Sequence, residues 1–234
     1  MREVLKRIAE RQVEYAGGPF LAFLRDKSID VRQRLGFAPH VAHYVLTFAD
    51  LCLLVLPQEP PSDRYQELVN ANCREDKTHW QWFLSDLAQL ERDPAVPFSE
   101  GVRMIWGDAT RRTRRLSYHL VQHGGAGDSL TRLVLVHIIE GAFQATVKDL
   151  EPVAHEFMAA TGRRLQYLGL RHSEAEESHT LEDPAVRRFI EEIPLSPEDE
   201  QRFCKLVDES FVLFRAFSDE MHDLARANMQ KLPG

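Results

Sequence analysis

Apolar residues recur along this chain at helical spacing almost everywhere. Val4, Leu5, Ile8 and Val13 form the first such stripe, and Gly17, Gly18 and Pro19 end it. Asp30 is placed to cap a following element. Pro39 breaks or starts a helix that runs through His43, Phe48 and Leu53 to Pro57. The QEPPS stretch reads as a loop, and a long helix is predicted over 62–91. Ser99 and Glu100 start another helix, which ends at the GGAG of Gly124 to Gly127. Asp128 then opens a helix through His137 and Glu140, kinked at Pro152 and stopped at Gly162. A further helix is predicted over 165–180. Ser196 followed by Pro197 starts the last one, which reaches Met229. No segment shows sustained β alternation, and no internal repeat is evident. The expectation is an all-α bundle of about seven helices, forming one domain over 1–234.

Composition narrows the function classes. The 234 residues are 44% hydrophobic and 28% charged, which suits a folded domain with a sizeable core. With 29 Lys and Arg against 36 Asp and Glu, the net charge is −7, which argues against coating nucleic acid. The basic run Arg111, Arg112, Arg114, Arg115 reads as a solvated helix face. Cys52, Cys73 and Cys204 are widely spaced and form no CxxC pair, so reduced thiols in the cytoplasm are expected. The N-terminus lacks an apolar signal region, and the most apolar stretch, 41–56, reads as too short and too polar to span a bilayer. The GGAG segment lacks the Lys and Ser/Thr of a phosphate loop and reads as a turn.

Ten His in an acidic chain are the feature that carries chemistry. His172, Glu176 and His179 have the spacing H-x3-E-x2-H, which would place three ligand types on one helical face. Asn72, Asp76 and His79 repeat that spacing, with Asn in the first position. Glu140 lies within the apolar segment LVLVHIIEGAF, where an unpaired carboxylate is costly to bury. It must face solvent, pair with a base or bind a cation. Carboxylate-bridged iron sites in helix bundles use this set of parts. Three imidazoles with three carboxylates suit iron or manganese better than zinc. The competing reading is a set of His–carboxylate pairs that only stabilise helix packing. His137 shares a face with Glu140, and a hydrogen-bonding or core role fits it better than ligation. Asp50 on an apolar helix either faces a pocket or makes a structural hydrogen bond. Trp80, Trp82 and Phe83 are expected to pack in the core, with one ring available to wall a pocket.

The order D-x2-H, a distant Glu, then H-x3-E-x2-H resembles the haem-oxygenase-like diiron oxidases, also called iron-containing redox enzymes. The resemblance covers about Asn72 to His179. It implies a haem-oxygenase-like bundle with two Fe(II) ions and O2 as co-substrate. The implied metal ligands are Asp76, His79, Glu140, His172, Glu176 and His179, with Asp76 and Glu140 also serving catalysis. The family's first Glu is Asn72 here, so the second iron loses an anionic ligand and binds more weakly, unless Asp76 or Glu75 replaces it. The segment EDKTHWQWFLSDL is similar to the branch that rearranges a tryptophan-type amino acid to a nitrile. The resemblance thus implies a small-molecule substrate, an amino acid or a fatty-acid-like metabolite, with no nucleic-acid or membrane partner and with homodimers among the expected assemblies. The alternatives are a cofactorless oxidase or thiaminase-like hydrolase on the same fold, or a non-catalytic metal-binding helical protein.

Overall fold

The computed structural model describes residues 1–91, 95–176 and 179–229, without the side chains of residues 170, 173 and 176. The described residues are predominantly helical and include no strand, so the chain is all-α. The helices are α1 (Arg2–Ala16), α2 (Pro19–Arg25), α3 (Val31–Arg34), α4 (Ala42–Asp50), α5 (Arg64–Asp76), α6 (Trp80–Gln89) and α7 (Phe98–Trp106). Then come α8 (Arg111–Ala126), α9 (Ser129–Thr161), α10 (Leu170–Glu176), α11 (Pro184–Glu191) and α12 (Pro197–Met229).

The long apolar helix α9 forms the centre of the bundle, with α1, α5, α8 and α12 packed around it. Leu133, Val134, Leu135 and Ile138 are fully buried there, so apolar residues surround the helix on several sides. Its termini follow the predicted chemistry. The Asp128 carboxylate accepts from the Thr131 amide at 2.7 Å, and Gly162 closes the helix at φ 73°. The Ser196 hydroxyl accepts from Asp199 N–H at 3.0 Å before α12.

Three predicted helices are interrupted, and two of the breaks bear on the site. The helix expected over 62–91 is broken at Lys77–His79, between α5 and α6. The helix expected over 165–180 is only α10, and His179 instead precedes a 3-10 turn, Thr180–Glu182, with extended backbone (φ −65°, ψ 148°). The helix from Ser99 is also divided, at Gly107, whose N–H bonds to Arg103 O at 2.8 Å. Helix α11 is additional to the expected set, although its signal was present: Asp183 accepts from Ala185 and Val186 amides, and Pro184 holds the first helical position.

A π-helical turn, Leu51–Val55, continues α4. As a result Val31–Val55 is one continuous helical stretch, longer than the 41–56 segment marked by sequence. It and Ser129–Thr161 are each long and apolar enough to cross a membrane by length and composition, and 56% of the most apolar window of the latter is buried inside the bundle.

Candidate metal centre

Three ligand-type side chains converge beneath α9. Asp76 is the last residue of α5, and the turn after it returns His79 toward the same carboxylate, with His79 N–H donating to Asp76 O at 3.0 Å. His79 Nδ1 lies 3.4 Å from Asp76 Oδ1, and His179 Nε2 lies 3.7 Å from the same oxygen. One donor atom from each of the three lies within 4.8 Å of the others, and all three residues are buried. Among the described residues this is the group of His, Cys, Asp and Glu compact enough to hold one ion.

The rest of the expected set is arranged around this group. The His172 ring is buried 4.8 Å from the His79 ring, centre to centre. Its Nδ1 lies 3.0 Å from Tyr167 O; a carbonyl only accepts, so Nδ1 carries the proton and Nε2 the lone pair. Glu140 on α9 is half-buried, with Oε1 3.5 Å from the Asn72 amide nitrogen. Glu176 ends α10, but its side chain lies outside the described residues. His172 and His179 therefore do not present one helical face; the chain leaves the helix between them.

Two carboxylates hold the loops that carry the imidazoles. Glu75 accepts from the Thr180 hydroxyl at 2.7 Å and from the Thr180 amide at 3.2 and 3.3 Å. This carboxylate, a candidate replacement ligand by sequence, instead fastens the residue next to His179. Asp86 is fully buried in α6 and accepts from the Gln166 and Leu168 amides at 2.6 and 2.8 Å. It thereby fixes the loop whose Tyr167 carbonyl orients His172. Burial pushes the Asp86 carboxyl up to about 6, against the pull of its backbone hydrogen bonds and of His172. The only sequence signal for Asp86 was a carboxylate inside the apolar run WFLSDL, the same kind of signal that marked Glu140. The Trp82 ring stacks on His79 at 4.1 Å, and the Arg171 guanidinium lies over the Trp82 ring at 4.4 Å.

Two cavities approach the centre. One, of ≈ 80 Å³, has aromatic and aliphatic walls that include Tyr44, Phe143, Tyr167, Phe214 and Phe217, and among the described residues no Lys or Arg lines it. Phe143 and Tyr167 also flank the His172 ring, at 4.3 and 4.6 Å. The other, of ≈ 240 Å³, is polar and is lined by Glu140, His137, Gln12, Gln144, Glu182 and Arg187. His137 Nε2 is buried without a hydrogen-bond partner, and burial lowers this imidazole to about 4, so it is neutral at pH 7. Glu140 therefore stands between the polar cavity and the Asp76 cluster.

The remaining candidates lie outside the Asp76–His79–His179 group. Asp50 is exposed. Arg111 pairs with Asp108 and Arg112 with Asp223, while Arg114 bonds to Gly107 O and Thr110. Cys52 and Cys73 are buried, and the hydrogen bond between them, with burial, holds the Cys52 thiol well above the usual range. No protein-family model matches this chain, and no curated protein matches it.

Proposed function

We propose that this protein is an O2-dependent non-haem iron oxidase or oxygenase acting on a small, largely apolar metabolite. The convergence of Asp76, His79 and His179 carries the reading. Two imidazoles and one carboxylate are the donor set of non-haem Fe(II) oxygenases, which keep positions open for O2 and substrate. Among the described residues the group contains no Cys and is not the closed four-ligand set of a structural zinc site. Iron bound there would supply the one-electron chemistry that lets O2 react with an organic substrate.

The chain's own residues supply the rest. Burial of Asp76, His79, His172 and His179 keeps bulk water from the centre. Asp76 directs Oδ1 toward both imidazoles while its Oδ2 accepts from Asn72 at 2.7 Å. The Tyr167 carbonyl fixes the His172 tautomer, leaving Nε2 as the basic nitrogen. The aromatic cavity beside His172 would take the substrate's apolar part. At ≈ 80 Å³ it is smaller than the ~150 Å³ of a cavity that binds benzene, so a narrow alkyl group fits better than an indole. Among the described residues no charged side chain lines the cavity, so neither the ammonium nor the carboxylate of an amino acid finds a partner there, and the alkyl chain of a fatty-acid-like substrate suits it better.

Anaerobic Fe(II) loading followed by metal analysis and O2-uptake assays tests this reading. The chain should retain iron, and Asp76→Ala or His179→Ala should abolish retention with helicity intact. His172→Ala or Glu140→Ala should abolish iron binding or turnover. O2 uptake should respond to alkyl acids more than to amino acids. A chain that retains no iron after loading would overturn the proposal, as would full activity in these variants.

A further inference from the structure

We propose that this centre holds a single metal ion, because the Asn72 side chain fills the place between two carboxylates that a second ion would need. The inference rests on the iron reading above and concerns only how many ions the site accepts. Asn72 is one helical turn before Asp76, is 1% exposed, and projects toward α9. Its Nδ2 lies 2.7 Å from Asp76 Oδ2 and 3.5 Å from Glu140 Oε1. An oxygen in that position would face two carboxylates, so the amide nitrogen is the atom held there.

The NH2 group thus does part of what a bridging cation would do: it meets buried Asp76 on its own helix and half-buried Glu140 on α9. To admit another ion, the amide would have to leave both carboxylates and offer only its neutral oxygen in return. That oxygen, Oδ1, is buried and has no hydrogen-bond partner, as expected for an amide whose orientation is set entirely by its nitrogen. The division of labour at Asp76 points the same way. Its Oδ2 is used by Asn72, while Oδ1 faces His79 and His179, so the three-residue group has one oxygen to give to one ion.

Metal stoichiometry in the full chain tests this, independently of turnover. Anaerobic titration with Fe(II), then equilibrium dialysis and iron analysis, gives the ions bound per chain. Loading with Mn(II) and recording the EPR spectrum gives a second count, since an isolated ion and an exchange-coupled pair have different spectra. The wild-type chain should bind about one ion. Asn72→Glu should bind about two, with the second site at least about tenfold tighter than in wild type. If the circular dichroism of N72E shows a folding defect, the isosteric N72D decides the same question. Two ions in the wild type would overturn the single-ion assignment while leaving the iron reading intact. No ion in the wild type would remove the iron reading itself. One ion in wild type, N72E and N72D alike would show that Asn72 does not set the number.

Discussion

Replacing Glu75 by Ala should weaken metal binding without touching a ligand. Glu75 accepts the Thr180 hydroxyl at 2.7 Å and shares the Thr180 amide between its two oxygens at 3.2 and 3.3 Å. Hydrogen bonds to a charged acceptor contribute about 1.5–3 kcal/mol each. The shared amide bond is long and belongs at the bottom of that range, and Glu75 is only half-buried, so water recovers part of the loss. About 2 kcal/mol then remains to hold the backbone that carries His179. If that ordering must be supplied by the metal instead, affinity falls roughly 30-fold, within the usual range for partners that orient ligands. Glu75→Gln keeps one acceptor and should lose roughly fivefold; Thr180→Ala removes only the hydroxyl bond and should behave similarly. Anaerobic Fe(II) titration gives the affinities, and amide hydrogen exchange at Thr180 in metal-free protein reports the released segment directly. An E75A affinity within about threefold of wild type, with Thr180 protection unchanged, would refute the clasp.

Three further outcomes follow from single groups. Glu220 of α12 is buried and accepts from the Arg112 and Thr113 amides and the Thr113 hydroxyl at 2.7–2.9 Å, so Glu220→Ala should lower the urea-unfolding free energy by about 3 kcal/mol and E220Q by about half that; a loss under about 1 kcal/mol for E220A would contradict the assigned cap. The Asp86 carboxyl is raised from 3.8 to about 6, so the folded state holds its proton longer than the unfolded chain does. Its contribution is fully present below about pH 4 and is lost as pH rises through 6, a drop of at most about 3 kcal/mol; urea unfolding from pH 4 to 7 should show this drop in wild type relative to D86N, and a flat difference would be the contrary result. Gly162 has φ 73° and nothing within 4 Å of an added Cβ, so Gly162→Ala should cost only the backbone term, about 1 kcal/mol, read as a Tm lowered by a few degrees; an unchanged Tm would show that the terminus relaxes.

The helical periodicity, the caps at Asp128 and Ser196 and the Gly162 stop were legible because each rests on contacts within one turn of chain. Glu140, Asp76 and His79 were legible as chemistry because a carboxylate in an apolar run and a D-x2-H spacing are local patterns. The relation among them was not. The H-x3-E-x2-H spacing suggested one helical face, yet α10 ends at Glu176 and His179 reaches Asp76 from an extended segment fastened by Glu75, a residue 105 positions earlier. Asp86 likewise orients the His172 loop through amides about 80 residues away.

The same division appears at the start of α8. Its local capping residue, Thr110, donates its hydroxyl back to Ile105 O, and the helix is capped by Glu220 from α12. The sequence by itself determined an all-α chain, its principal helices and the residue types able to hold a metal, because those follow from spacing and short-range hydrogen bonding. Only the tertiary structure decided which of those residues meet, because a buried carboxylate bonds whichever donor packing brings to it, and packing joins positions that sequence distance does not order.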